Sequence, residues 1–423
     1  MRILVDQSGY DLLNIGDVAM LQSCIARLKR QWPEAEVMVI ARDPARLQSY
    51  CPDVIAIWRT LSDRPLLRYL PPKSQAVSEQ VWKMVAPYFA GRLGYRHVKQ
   101  GGTLTAIQAV QGADLVVASG GGYVTDTWWW HAAGVLSLLS LAQRLGKPTA
   151  MFGQGIGPLG QRSLRAQASA VMPKLKVIGL REARMGQDLV LALGVSPEAV
   201  VVTGDDALEL IDVTSAADGY ALGVNVRVSG YAGVEAALAA AVGELVLEAA
   251  TALKAPIVGL PVCRYARDAD IVALRALLFR RDDRADVVLN DIVFPRDLVS
   301  AAGSCRAIVT GSYHAAVFGL AQGVPTVCLT KSSYYDAKFS GLQALFPGAC
   351  FVIPLDAPDW TARLRAAISQ AWHLPAPART VARDTAVCLR DAGREAYARF
   401  RVEVESSARP ATAAPGLARG LRL

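Results

Sequence analysis

Residues 2–41, "RILVDQSGYDLLNIGDVAMLQSCIARLKRQWPEAEVMVIA", decide the fold. "RILVD" (2–6) is a short β-rich run, and a glycine-containing turn follows it. From Gly16 to Pro33 apolar residues recur at helical spacing until the proline ends the pattern. "EVMVIA" (36–41) is again strand-like. A strand, a helix and a second strand in this order form a βαβ unit, which implies parallel pairing with helices covering the sheet.

The alternation continues outward. "DLVVAS" (114–119), "PTAMFG" (148–153), "KVIGL" (176–180) and "AVVVT" (199–203) read as strands, separated by helical stretches near 130–145, 162–174 and 182–193. A second series runs from "ALGVNV" (221–226) through "APIVGL", "ADVVL", "RAIVT", "PTVCL" and "CFVIP". The polar, glycine-containing "DVTSAADG" (212–219) separates the two. The expected class is α/β, with two Rossmann-like doubly wound domains, 1–211 and 219–375, facing a cleft lined by the carboxyl ends of the strands. A helix over 376–404 and a disordered tail over 405–423 complete the expected organisation.

Composition fits this picture. A chain of 423 residues exceeds the usual size of one core, and 52% hydrophobic with 19% charged residues is ordinary for a soluble globular protein. The formal charge of +8 favours anionic partners such as phosphates, acidic glycans or an anionic membrane face, or serves solubility alone. Seven cysteines without a CxxC or paired spacing read as reduced core residues of a cytoplasmic protein. Asp6 interrupts the N-terminal apolar run, which does not read as a signal peptide. The uncharged runs Thr127–Gln143 and Ala307–Thr330 are broken by Gly, Ser, Thr or His and read as buried α/β segments. Residues 58–100 depart from the alternation. They are basic and aromatic, suited either to an anionic bilayer or lipid-linked acceptor, or to a solvated helical hairpin.

Strand ends are the positions to inspect for chemistry. Asn14, Gly16 and Asp17 stand where the first loop becomes a helix, as caps or as ligand-facing groups. Gly120, Gly121 and Gly122 follow one strand, and "FGQGIGP" places Gln154 and Gly155 after the next, either as a ligand-facing rim or as tight turns. Neither cluster matches GxGxxG, so no nicotinamide site and no cofactor is expected. Arg181, Asp205, Arg227 and Arg264 also fall at strand ends, and arginine forks suit phosphate and carboxylate. Asp268-Ala269-Asp270 has the form of DxD but lacks further ligands nearby. The four histidines, 97, 131, 314 and 373, show no metal-ligand spacing, so no metal is expected. His131 follows three tryptophans, a sugar platform or a structural rim. His314 is the one titratable side chain in "TGSYHAAVFGLAQGVP" (310–325), at the first turn of a helix after a strand. It reads as facing an anion at the helix N-terminus, or as a core histidine bonded to a carbonyl.

The collinear set "NIGDVAML", "DLVVASGGGYVTD", "GQGIGPL", "REARMGQDLVLALGV", "TGDDALEL", "GVNVR", "GSYHAAVFGLAQGVPTVCL" and "YYDAKFSGL" resembles the polysaccharide pyruvyl transferase family over about residues 2–355. The resemblance implies a glycosyltransferase-B type fold and transfer of a pyruvyl group from phosphoenolpyruvate to a sugar, usually as a cyclic ketal. It makes His314 a candidate general acid/base with Asp205 or Asp17 as second carboxylate, and places Ser312, Tyr313 and Lys338 at the donor. The family's Arg-x-His motif carries Ser312 in place of its arginine here, which leaves Arg227, Arg181 or Arg264 to supply that charge. The implied partners are phosphoenolpyruvate and a sugar or lipid-linked oligosaccharide acceptor, with an anionic membrane face as a further contact and no nucleic acid. A glycosyltransferase using a nucleotide-sugar donor and a non-catalytic glycan-binding protein are the alternatives.

Overall fold

A computed structural model describes residues 1–58, 96–99, 102–211, 219–229, 232–266, 269–278, 287–289 and 292–408. The expected α/β class is what it contains: two parallel sheets in two domains. In the first, β1 (Arg2–Asp6) is central and pairs in parallel with β2 (Glu36–Ala41) and β6 (Leu115–Ala118). Beyond β2 lies β3 (Ile55–Trp58); beyond β6 lie β8 (Thr149–Ile156), β9 (Val177–Leu180) and β10 (Val200–Val202). A separate antiparallel pair joins β4 (Arg96–Lys99) to β5 (Gly102–Thr105). The second sheet is entirely parallel. It runs β13 (Val287–Leu289), β12 (Ile257–Gly259), β11 (Ala221–Asn225), β14 (Cys305–Thr310), β15 (Thr326–Thr330), β16 (Cys350–Pro354).

The period of two along the strands divides the first domain's interior. Leu4, Met38, Ile40, Val116 and Ala118 enter one core, whereas Ile3, Val5, Val37, Val39 and Val117 enter another on the opposite face. The first helix, Ile15–Gln31, starts where Asn14 accepts from the backbone N–H groups of Gly16 and Asp17; Asp17 in its first turn and Lys29 and Arg30 in its last complement the helix dipole. One described helix, Ala236–Leu253, is long and apolar enough to cross a membrane. Here it lays Ala239, Val242, Val246 and Ala250 on the second sheet's core and turns Glu244 and Glu248 outward.

Two expectations need correction. Gly120–Gly122 do not form a simple turn after β6: Gly121–Val124 is a further strand, β7, paired with the second half of β8. Gln154 and Gly155 therefore lie inside a strand, not after one. β8 runs past its expected end because β7 supplies the hydrogen-bonding partner that β6 no longer reaches. The C-terminal helix continues to Ala408, four residues past its expected end at 404 (408 − 404). It packs Ala382 and Ala386 on the second domain's core, then Ala396, Tyr397 and Phe400 on the first's, where Tyr397 stacks on Phe152 at 3.7 Å.

The insertion at 59–95, the linker at 212–218, Arg267, Asp268 and the tail beyond Ala408 lie outside the described residues. No disulfide joins any of the seven cysteines, all of which are described, and six are buried.

Candidate active site

The carboxyl ends of both sheets open onto one cavity of about 380 Å³. Backbone bonds tie its floor across the domains: Ile15 N–H donates to Val262 O at 3.0 Å and Arg264 N–H to Leu13 O at 2.7 Å. Three helices begin at the cavity, Ile15–Gln31 and Tyr313–Ala321 from opposite domains and Ser333–Leu345 beside the latter. The leading N–H groups of the first are taken up by Asn14 and Val262, whereas Ser312 and Ser332 give the other two no side-chain cap, and the positive ends of these helix dipoles make a field suited to an anion.

Side-chain charge adds to that field. Arg181 follows β9 and is 3% exposed, yet it makes no ion pair among the described residues. Its guanidinium lies 4.3 Å from the Tyr313 ring centre. It fits only because Gly122 and Gly155 lack side chains: a Cβ at either would come within 2.5 Å of its nitrogens. Lys338 Nζ sits 4.0 Å from the Tyr334 ring, 5.6 Å from Tyr335 and 6.0 Å from Tyr313. Burial and the nearby Arg181 hold this amine well below the ordinary lysine range, with Asp17 opposing. Arg227, after β11, lies 3.4 Å from Asp270. Asp270 also accepts from Asn225 Nδ2 and from the backbone N–H groups of Val262 and Cys263, so this carboxylate is committed to holding the loop.

His314 faces these cations. Its imidazole is nearly buried, packed so close to the first helix that a Cβ on Gly16 would fall 2.0 Å from its Cγ and Nδ1. Nε2 has no hydrogen-bond partner and lies 3.6 Å from Asp205 Oδ2. Burial lowers the imidazole well below its usual range, and Arg181, Lys338 and Arg227 lower it further. Asp205 shows the opposite shift: burial takes its carboxyl up to about 6 despite Arg181, while its other oxygen caps Ala207 N–H. Asp17 is raised by burial and steadied by Lys338 and by the hydroxyl of Ser8 at 3.2 Å.

The opposite wall is aromatic. Trp128 Nε1 donates to the Tyr334 hydroxyl at 3.3 Å, which donates to Gly122 O at 3.0 Å and so joins the domains. His131 stacks on Tyr10 with ring centres 4.7 Å apart, and Trp130, 41% exposed, stands at the mouth. Beside them Arg42 pairs with Asp11 at 3.0 Å.

Of the residues singled out from sequence, Asn14, Asp17, Gly122, Arg181, Arg227, Ser312, Tyr313, His314 and Lys338 line this cavity. Others stand behind the wall and correct the ligand-facing expectation. Gly16 and Gly155 make room for His314 and Arg181. Gly121 is crowded by Tyr123 and Ser8, and Gly120 by Met20. Gln154 is fully buried and spends its amide on Ser119 O, the Tyr123 hydroxyl and Phe152 O. Asp205 reaches the cavity only through His314. Arg264 is not among the lining residues, because the backbone pairing that binds Cys263 to Asn14 directs it aside. Sequence reading missed Tyr334, Tyr335, Arg42, Asp11 and Tyr10. Tyr334 and Lys338 are four residues apart on one helix face, which was a readable signal.

Solved structures share this fold. A putative UDP-N-acetylglucosamine 2-epimerase from Listeria monocytogenes superposes with a TM-score of 0.59 at 13% identity, covering 97% of this chain and 98% of its own. The UDP-GlcNAc 2-epimerase from Neisseria meningitidis gives 0.57 at 12% identity, covering 96% and 100%. The calicheamicin glycosyltransferase gives 0.54 at 15%, covering 96% and 97%. At such identities the likeness shows the glycosyltransferase-B fold. No curated protein matches the chain by sequence. The model of one family, polysaccharide pyruvyl transferase, matches residues 14–333, a span that runs from the Asn14 cap through His314 to the helix that carries Lys338. With most of its length matched, the chain belongs to the polysaccharide pyruvyl transferase family.

Proposed function

We propose that this protein transfers the pyruvyl group of phosphoenolpyruvate to two hydroxyls of a sugar in a surface polysaccharide or its lipid-linked precursor, forming a ketal and releasing phosphate. The observation that carries this reading is Arg181: a guanidinium 3% exposed, facing a cavity, with no carboxylate partner among the described residues. Asp205 and Glu182 act on this charge only from beyond ion-pair distance, which leaves the donor fork of the guanidinium, among the described residues, to an anion that arrives from outside. Arg181, Arg227 and Lys338 together match the phosphate and carboxylate of the donor. Arg181 then supplies the charge that Ser312 lacks.

The chemistry is two additions at one carbon. A proton goes to the donor's methylene carbon, and the first hydroxyl attacks the adjacent carbon while losing its proton. The C–O bond to phosphate breaks, and the second hydroxyl attacks and loses its proton. One hydroxyl proton is balanced by the new methyl group and the other by the departing hydrogen phosphate. His314 is the acid and base that moves these protons, with the Asp205 carboxylate 3.6 Å from its Nε2. Asp17, lining the cavity from the other domain, is the carboxylate for the second hydroxyl. Trp130 and Trp128 offer flat faces for the sugar.

The test is phosphate release from phosphoenolpyruvate with a panel of nitrophenyl or lipid-linked hexosides, for the native protein and Arg181→Ala. Acceptor-dependent release that the variant loses supports the proposal. Consumption of a nucleotide-sugar without phosphoenolpyruvate turnover rejects it.

A further inference from the structure

We propose that His314 takes up a proton when the anionic donor binds, so that phosphoenolpyruvate itself converts the imidazole from base to acid. This rests on the donor reading above. The geometry supports it from every side of the ring. Arg181 after β9, Arg227 after β11 and Lys338 from the helix Ser333–Leu345 all bear on the imidazole as positive charges. Asp205, from the segment after β10, is the acidic group nearest Nε2, at 3.6 Å too long for a hydrogen bond. Asp17 and Gly16 come from the first helix, and Tyr313 from its own, with ring centres 5.8 Å apart. Nε2 is buried and has no hydrogen-bond partner.

In that setting burial and three positive charges outweigh the one carboxylate, and the ring rests neutral. Placing the donor's phosphate and carboxylate among the three cations offsets the charge that disfavours protonation. A solvent proton then enters the ring. The N–H bond breaks as the C–H bond forms at the donor's methylene carbon, and the neutral ring left behind accepts the first hydroxyl's proton. It passes that proton to the leaving phosphate, while Asp17 takes the second hydroxyl's proton and returns it to solvent, so the cycle closes without a further reactant. The acid therefore exists only when the donor is in place, which makes donor binding the first step.

His314 has its lower proton affinity in the free protein and its higher one in the complex. Donor affinity thus strengthens as pH falls through the window between the two, by at most about tenfold per pH unit. Calorimetric titration of the full chain with phosphoenolpyruvate, without acceptor, in two buffers of different ionisation enthalpy reads the proton count between about pH 6 and 8. We expect uptake approaching one proton per donor bound, lost in His314→Gln, whose curve also supplies the donor's own titration. Binding without uptake overturns the inference and leaves the donor reading standing. Uptake that persists in His314→Gln also overturns it, assigning the proton to Lys338, Asp205 or Asp17. Absence of any donor binding removes both. Should His314→Gln fail to fold, native protein labelled at its four histidines gives the same decision by NMR. One imidazole must move to its protonated position on adding donor, and no movement refutes the coupling.

Discussion

Asp205 and Asp206 are neighbours in the chain and belong to different buried charge clusters. Asp206 meets Arg27 at 2.7 Å and the Tyr397 hydroxyl at 3.0 Å, and Glu209 completes the group by accepting from Arg27 at 3.0 Å and Arg394 at 2.8 Å. Every charge there is answered by the protein itself. Asp205 looks the other way, toward His314, Arg181 and Lys338, where rings and glycines stand in place of counter-ions. The first cluster locks the C-terminal helix to the first domain; the second leaves its charges to be met by a ligand.

The widest separation of the two clusters should come from Asp206→Ala. It leaves Arg27 half-answered in the interior, with an expected loss of about 3–5 kcal/mol in denaturant unfolding. A loss below about 1 kcal/mol, typical of surface pairs, would end the structural reading of that cluster. Arg181→Ala is the mirror experiment: turnover is expected to fall roughly 10²–10³-fold while the melting temperature holds or rises. A drop in stability comparable to that of Asp206→Ala would put both clusters in one class.

Gly16→Ala sharpens the geometry on the second side. Its methyl group would overlap the His314 ring, and a displacement of that kind is expected to cost about 10²-fold in kcat with the fold intact. Full activity would mean that the ring's position is not critical.

The smallest effect concerns pH. Burial raises Glu209, but Arg394 and Arg27 outweigh it and take the carboxyl down to about 2. Its stabilisation is therefore present above the ordinary carboxylate range and lost as pH falls toward 2. Asp205, up at about 6, has the reverse sign: its contribution is full below 3.8 and lost as pH rises through 6. At neutral pH Asp205→Asn should then stabilise the fold by about 1–2 kcal/mol, measured by urea unfolding, while slowing turnover. Destabilisation at neutral pH would show that Asp205 serves the fold first.

The alternation of apolar strands and helical stretches made the fold readable, because parallel strands buried on both faces leave unbroken Val/Ile/Leu runs such as "ILV" and "AIVT". The glycine clusters misled, since a glycine in a loop and a glycine making way for a distant side chain look alike in sequence. Only the fold reveals that Gly122 and Gly155 yield to Arg181, and Gly16 to His314. The tyrosines around Lys338 were partly legible from helical spacing, but Tyr313 joins them from another helix. Nothing local distinguishes Asp205 from Asp206. Which way each turns is decided by a helix almost two hundred residues away, through Tyr397, whose separation from Asp206 is 191 residues.

That helix has a consequence for the order in which the protein is made. Phe152 and the first helix leave the ribosome long before Tyr397 and Phe400, which complete their core. The first domain is therefore begun first and finished last: its sheet must wait, with one apolar face uncovered, until the second domain has been synthesised. A nascent chain stalled before residue 376 would carry a second core lacking only the helix's Ala382 and Ala386, and a first one open where Ala396, Tyr397 and Phe400 belong. It is at this stage of biosynthesis, more than in the finished protein, that the chain is most in need of a chaperone.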